Sequence, residues 1–163
     1  MASEPITLFA KVPNQEHALK VLQEISPKLE VVSEGDIWKK AIVTCGKYPL
    51  ENNLKISHDP SYYTGRNWVV QMDGMRNYFS RFPETPERQR VLDLTRQFGF
   101  ALGTITDTDF DENDYRLRLI SILASELDAV WFTPTSLRDS YGRVLFSIVE
   151  KEIDSSARWP TYA

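Results

Sequence analysis

The chain has 163 residues, with 19 Lys or Arg against 23 Asp or Glu for a formal charge of −4, 42% hydrophobic residues, two histidines and one cysteine. That length suffices for one domain with a substantial core. The balance excludes a polybasic nucleic-acid tail, a strongly disordered chain and a disulfide-stapled scaffold, and leaves little material for a His- or Cys-rich metal centre.

The start, MASEPITLFAKV, lacks a basic segment followed by an apolar stretch, so no signal peptide is expected. No run approaches 18 apolar residues, so no membrane span is expected either. ITLFAKV (6–12) reads as a strand. Asn14 then suits a helix N-cap, with Glu16 in the first turn and Ala18, Val21, Leu22 and Ile25 on one apolar face. Ser26-Pro27 ends that helix, because the residue before proline is pushed out of helical geometry.

Strands are expected at 29–34 and 37–45 around a Gly35-Asp36 turn. An irregular excursion follows over about 46–66, holding one short strand at 54–57. NWVVQMD (67–73) reads as a strand that Gly74 breaks, and 75–82 as a helical turn or a continuation of it. Thr85-Pro86 starts a helix whose face carries Val91, Leu94, Thr95 and Phe98, with Gly99 at its end. FALGTIT (100–106) is a strand in which Gly103 suggests a bulge or a close backbone approach. The last helix starts within 109–114 and runs to about Asp128, with Leu119, Ile120, Leu123, Ala124 and Leu127 as its stripe. Strands at 129–133 and 143–149 flank a loop over 134–142, and a tail over about 152–163 is expected to be only partly ordered.

A helix-then-strand unit thus recurs at 14–34, 86–106 and 114–133. This pattern predicts a single α+β domain over 1–163, a mixed or mainly antiparallel sheet with about three helices packed on one face. Short strands with polar alternate positions argue against a sheet buried on both faces.

Chemistry-bearing residues are few. Cys45 lies in an apolar run and reads as a buried thiol. Asp107, Asp109 and Asp111 have the first three spacings of a calcium loop, but Glu112 stands where that loop needs glycine and Arg118 where it needs glutamate. The acids over 107–114 read instead as a solvated strand-to-helix loop with helix-capping acids. His58-Asp59 offers an imidazole beside a carboxylate and is the candidate catalytic pair, although no nucleophile motif accompanies it. His17 reads as a structural or surface residue. Phosphate-binding glycine loops, nucleophile elbows and paired-Cys motifs are absent, so no cofactor and no metal site is expected.

ISILASELDAVWFTPTSLRDSYGRVLFS (120–147), with GTITD (103–107) before it, resembles a segment of uncharacterised bacterial α+β domains. There a helix ending in Leu-Asp leads to a strand, a small loop and an Asp-x-x-Gly-Arg turn. The resemblance implies a small cytoplasmic protein with an accessory or immunity-like binding role. The expected partner is accordingly another protein or a second copy, with no nucleic acid and no membrane. Tyr62, Tyr63, Arg66, Arg76, Tyr78 and Arg81, with Asp107, Asp109 and Asp111, are the candidate contact residues, since tyrosine and arginine give large contact area and oriented hydrogen bonds. The alternative is a small hydrolase or ligand-binding enzyme built on His58 and nearby acids.

Overall fold

The computed structural model describes residues 6–26, 28–44, 54–62, 64–105, 114–147 and 152–162. In chain order it comprises β1 (Ile6–Ala10), α1 (Gln15–Ile25), β2 (Leu29–Glu34), β3 (Ile37–Val43), β4 (Leu54–Ser57), a 3₁₀ turn (Pro60–Tyr62), α2 (Gly65–Ser80), α3 (Pro86–Thr95), β5 (Phe100–Ile105), α4 (Tyr115–Leu127), β6 (Val130–Phe132), β7 (Ser136–Arg138) and β8 (Val144–Ser147). The strands form one sheet in the order β2-β3-β4-β5-β1-β6-β7-β8, each neighbouring pair antiparallel. The fold is therefore α+β with an antiparallel sheet, as the sequence predicts. Among the described residues no helix is long and apolar enough to cross a membrane.

Asn14 and Thr85 cap their helices as predicted, and Asp114 is the acid that caps α4. Asn14 Oδ1 accepts the His17 N–H at 3.3 Å, Thr85 Oγ1 that of Arg88 at 3.1 Å, and Asp114 Oδ1 that of Arg116 at 2.9 Å. Each satisfies an N–H that the first helical turn leaves without an internal partner. Asp128 closes α4 in the left-handed region at φ 50°, and its carboxylate also holds Thr161 of the tail.

The helices number four among the described residues, not about three, and they divide between the two faces of the sheet. Strand alternation makes this visible in β1. Leu8 and Ala10 pack with Val21 and Leu22 of α1 and with Leu119, Ile120 and Leu123 of α4. Phe9, pointing the other way, packs with Met72, Met75 and Phe79 of α2 and with Val91 and Leu94 of α3. The central strands are thus apolar on both sides. The fourth helix replaces the strand expected over 67–73. Trp68, Met72, Met75 and Phe79 recur at spacings of four, three and four, and this stripe outweighs the β-preference of Val69 and Val70, which face solvent.

Two smaller expectations are also corrected. The loop over 134–142 contains β7, which pairs with both β6 and β8. Gly103 sits in unbroken register between Ser57 and Thr7, so no bulge occurs there. The tail packs back: Ala157, Trp159 and Tyr162 lie against the second core, and the Arg90 guanidinium stands 4.3 Å over the Trp159 ring.

α1 and α4 cover one face of the sheet from β3 to β6, while α2 and α3 cover the other face only from β5 to β8. One side of β2, β3 and β4 is left without a helix among the described residues. It carries the cross-strand row Val32–Lys40–Ser57–Gly103, with Ile42 and Lys55 beside it.

Candidate interaction surface

The pair singled out for catalysis is built into the fold. His58 follows β4 and is fully buried; its ring stacks on Trp38 at 4.7 Å and tilts against Phe100 at 5.8 Å. Nδ1 lies 2.8 Å from the Trp38 carbonyl, so that nitrogen carries the proton and donates. Burial pushes the imidazole below its ordinary pKa of 6.5, and Lys39 works the same way, against the opposing influence of the Trp38 carbonyl and Asp59. Asp59 turns elsewhere. It accepts the Ser61 N–H at 3.0 Å and pairs with Lys39 at 3.3 Å, and its Ser61 hydrogen bonds lead in holding its pKa below the usual carboxylate value. This arrangement anchors the turn after β4 to β3.

The contact candidates fare differently from one another. Tyr62 ends the 3₁₀ turn ahead of α2, whereas Tyr63, Asp107, Asp109, Asp111 and Cys45 lie outside the described residues. Arg66 is exposed in the first turn of α2, and Arg81, also exposed, caps its last turn. Tyr78 is half-buried, its hydroxyl donating to the Pro134 carbonyl at 2.7 Å and its ring edge-on to Phe79 and Phe82. Arg76 is held on the flank by Asp73 at 2.6 Å.

Helical spacing therefore gathers part of the set. Arg66, Val70, Asp73 and Asn77 recur at four, three and four along the side of α2 opposite Met72, Met75 and Phe79, and Gly74 and Arg81 continue the same ridge. Val69 and Val70 are 55% and 64% exposed. Gly74 sits mid-helix with nothing within 4 Å of where a Cβ would stand. A mid-helix glycine costs about 0.5–1 kcal/mol relative to alanine, and no packing among the described residues requires this one. The ridge is held rigid from below. Arg88 of α3 donates to the carbonyls of Ser80 at 3.1 Å and Phe82 at 2.8 Å, satisfying the end of α2.

Gly74, Val69 and Val70 escaped the sequence reading because a β-rich heptapeptide hid the helix. The four-three-four spacing of Trp68, Met72, Met75 and Phe79 was the signal that could have found it.

Two clefts border the tail. One of about 210 Å³ lies between the end of α4 and the tail, lined by Ser125, Asp128, Tyr141 and Arg158 among others. A second of about 340 Å³ lies between Phe82, Thr85, Phe146 and Ile153. Neither reaches His58. Comparison with known protein families, with curated proteins and with solved structures finds no match.

Proposed function

We propose that this protein is a protein-binding accessory domain that docks a partner protein on the outer ridge of α2. The observation that carries this reading is Gly74. It lowers helix stability, makes no contact among the described residues that needs it, and leaves a bare strip of backbone beside the exposed Val70. Such a strip lets a partner's backbone or a large side chain approach closely, with Val70 as apolar anchor and Arg66, Asn77 and Arg81 as a polar rim. The basic ends of the ridge favour a partner with acidic flanks. An immunity-like role in the cytoplasm of a bacterium fits this reading, because a reducing compartment suits the lone Cys45. The burial of His58 and the engagement of Asp59 with Ser61 and Lys39 weigh for binding over the hydrolase alternative.

The test is affinity purification from the source cells with the wild-type chain, Val70→Glu and, as a surface control on α4, Ile122→Glu. A partner recovered in near-equal amount with wild type and Ile122→Glu and lost with Val70→Glu supports the reading. Equal recovery with all three, or with none, refutes it.

A further inference from the structure

We infer that β2 is a self-pairing edge through which two copies of the chain join their sheets into one. β2 ends the strand order, so one of its sides has no neighbour among the described residues. Five of its six residues are exposed, and only Leu29 packs against the first core among the described residues. Val31 and Val32, on opposite faces, are 36% and 48% exposed, and Ile37 beside them on β3 is 44% exposed. A long edge of this kind is a template for another strand.

The backbone directions decide which groups are offered. The His58 N–H donates to the Lys39 carbonyl at 2.8 Å, and β3 and β4 are in register from Lys40↔Ser57 to Val43↔Leu54. Ala41 and Val43 therefore also aim their peptide groups at β4, while Lys40 and Ile42 aim theirs at β2, opposite Val32 and Glu30. The irregularity at Val32/Ser33 is absorbed by the extra residue Lys39 on β3, so β2 itself keeps strict alternation. Leu29, Val31 and Ser33 are left with N–H and C=O directed at the open edge.

The occupant follows from symmetry and charge. In a two-fold antiparallel pair the axis must pass through a residue, because adjacent pairs alternate between hydrogen-bonded and non-bonded types. Centring on Glu30 sets two carboxylates face to face. Centring on Val32 opposes Glu30 to Glu34 of the other copy. Centring on Val31 avoids both clashes. It sets Val31 against Val31 and Leu29 against Ser33 as hydrogen-bonded pairs, with Lys28 opposite Glu34 of the other copy. Lys28–Glu34 is then a non-bonded pair, the type in which side chains come closest. Glu34 lies on the face that no helix covers, and Lys28 stands in the turn directly before β2; both are exposed, with no ion pair of their own among the described residues. Centring on Leu29 or Ser33 pairs fewer residues of β2, so strand overlap together with the charges of Lys28, Glu30 and Glu34 favours a second copy of the same strand in the register centred on Val31.

Sedimentation analysis of the full chain across a dilution series tests this, together with three variants. At about 100 μM, the range in which weak self-association is populated, the wild type is expected at twice the 18.8 kDa chain mass. Lys28→Glu and Glu34→Lys singly each turn two symmetric attractions into repulsions and should weaken the dimer about tenfold. The double swap Lys28→Glu/Glu34→Lys restores opposite charges and should recover it. Hydrogen exchange should show the amides of Leu29, Val31 and Ser33 protected at high concentration and fast on dilution. A monomer at every concentration overturns the inference, as does a dimer that all three variants leave unchanged or one whose exchange protection lies elsewhere. Because Val70 and Gly74 lie on α2, away from this edge, loss of partner binding and loss of self-pairing can be separated.

Discussion

Asp139 Oδ2 accepts the backbone N–H of Arg158 at 2.9 Å, joining the β7–β8 turn to a tail nineteen residues further along the chain. The other oxygen of the same carboxylate accepts the N–H groups of Tyr141 and Arg143, both at 2.9 Å, so one buried side chain closes the hairpin and clamps the C-terminus. The Asp-x-x-Gly-Arg pattern noticed in the sequence is thus a structural staple. Asp139→Ala should cost about 1–3 kcal/mol, since it removes the acceptor of three part-buried N–H groups, and should release the tail. Limited proteolysis then cuts after Arg158 well before the rest of the chain, whereas the wild type resists there. Equal cleavage rates would contradict this role.

Gly142 completes that turn at φ +86°, and a Cβ on it would stand 3.0 Å from the Trp131 ring. Gly142→Ala therefore meets both left-handed strain, about 1–2 kcal/mol, and a contact that Trp131 must yield to. The Trp131 indole donates to the Ser140 carbonyl at 3.2 Å in the same turn, so it has little room to move. The expected result is a lowered denaturation midpoint with a changed tryptophan emission. Gly35→Ala, at φ +62° with nothing within 4 Å, meets strain alone and should cost less.

Arg116 is 2% exposed, and its guanidinium lies against Asp114, with Nε on Oδ1 at 2.9 Å and a terminal nitrogen on Oδ2 at 2.5 Å. The Arg116 hydrogen bond is the leading cause that holds the Asp114 pKa below its ordinary value of 3.8. The pair's contribution is therefore present above 3.8 and is lost as pH falls through the depressed folded value. Arg116→Met leaves a buried carboxylate without its partner and should cost about 3–5 kcal/mol in urea denaturation at neutral pH. Arg116→Met with Asp114→Asn should recover much of that loss. A double variant as unstable as the single one would show that other contacts of Arg116 dominate.

His58 gives a pH dependence of definite sign. Its folded pKa lies below 6.5, so between the folded value and 6.5 the unfolded chain binds the extra proton, and stability rises with pH across that window. As pH falls through 6.5, stability should drop, levelling only below the folded value. His58→Asn keeps a donor for the Trp38 carbonyl but does not titrate there. Its urea midpoint, lower overall, should vary less than the wild type's between pH 5 and 7 by about the linkage contributed by one group. Parallel pH profiles would contradict the buried neutral role.

Much of the fold was legible because local rules and tertiary packing agree. Asn14 and Thr85 cap their helices as their side chains suggest, and the stripes of α1 and α4 bury the residues that periodicity picks out. Legibility failed where two local signals competed. Over 67–73 the valines suggested a strand, but Trp68 and Met72 belong to a stripe completed only by Met75 and Phe79. Missing α2 also hid the second covered face, since Phe9 and Val130 then had no visible partners. The site followed the same division. Arg66, Tyr78 and Arg81 were named for their side-chain chemistry and do share a helix. Gly74, whose importance lies in an absent side chain on a helix, read only as a strand break. Gly99 is similar: it looked like a helix terminus, yet what requires it is the Lys11 carbonyl, 2.6 Å from any Cβ.

Site-specific photocrosslinking in the source cells tests the central claim most directly, with the photoreactive residue at position 70 and, as a control, at position 122 on α4. One discrete adduct is expected from position 70, of a mass other than two chains, absent from position 122 and lost when Gly74→Leu fills the bare strip. An adduct that survives Gly74→Leu, or one that forms equally from both positions, or none from position 70, would contradict it.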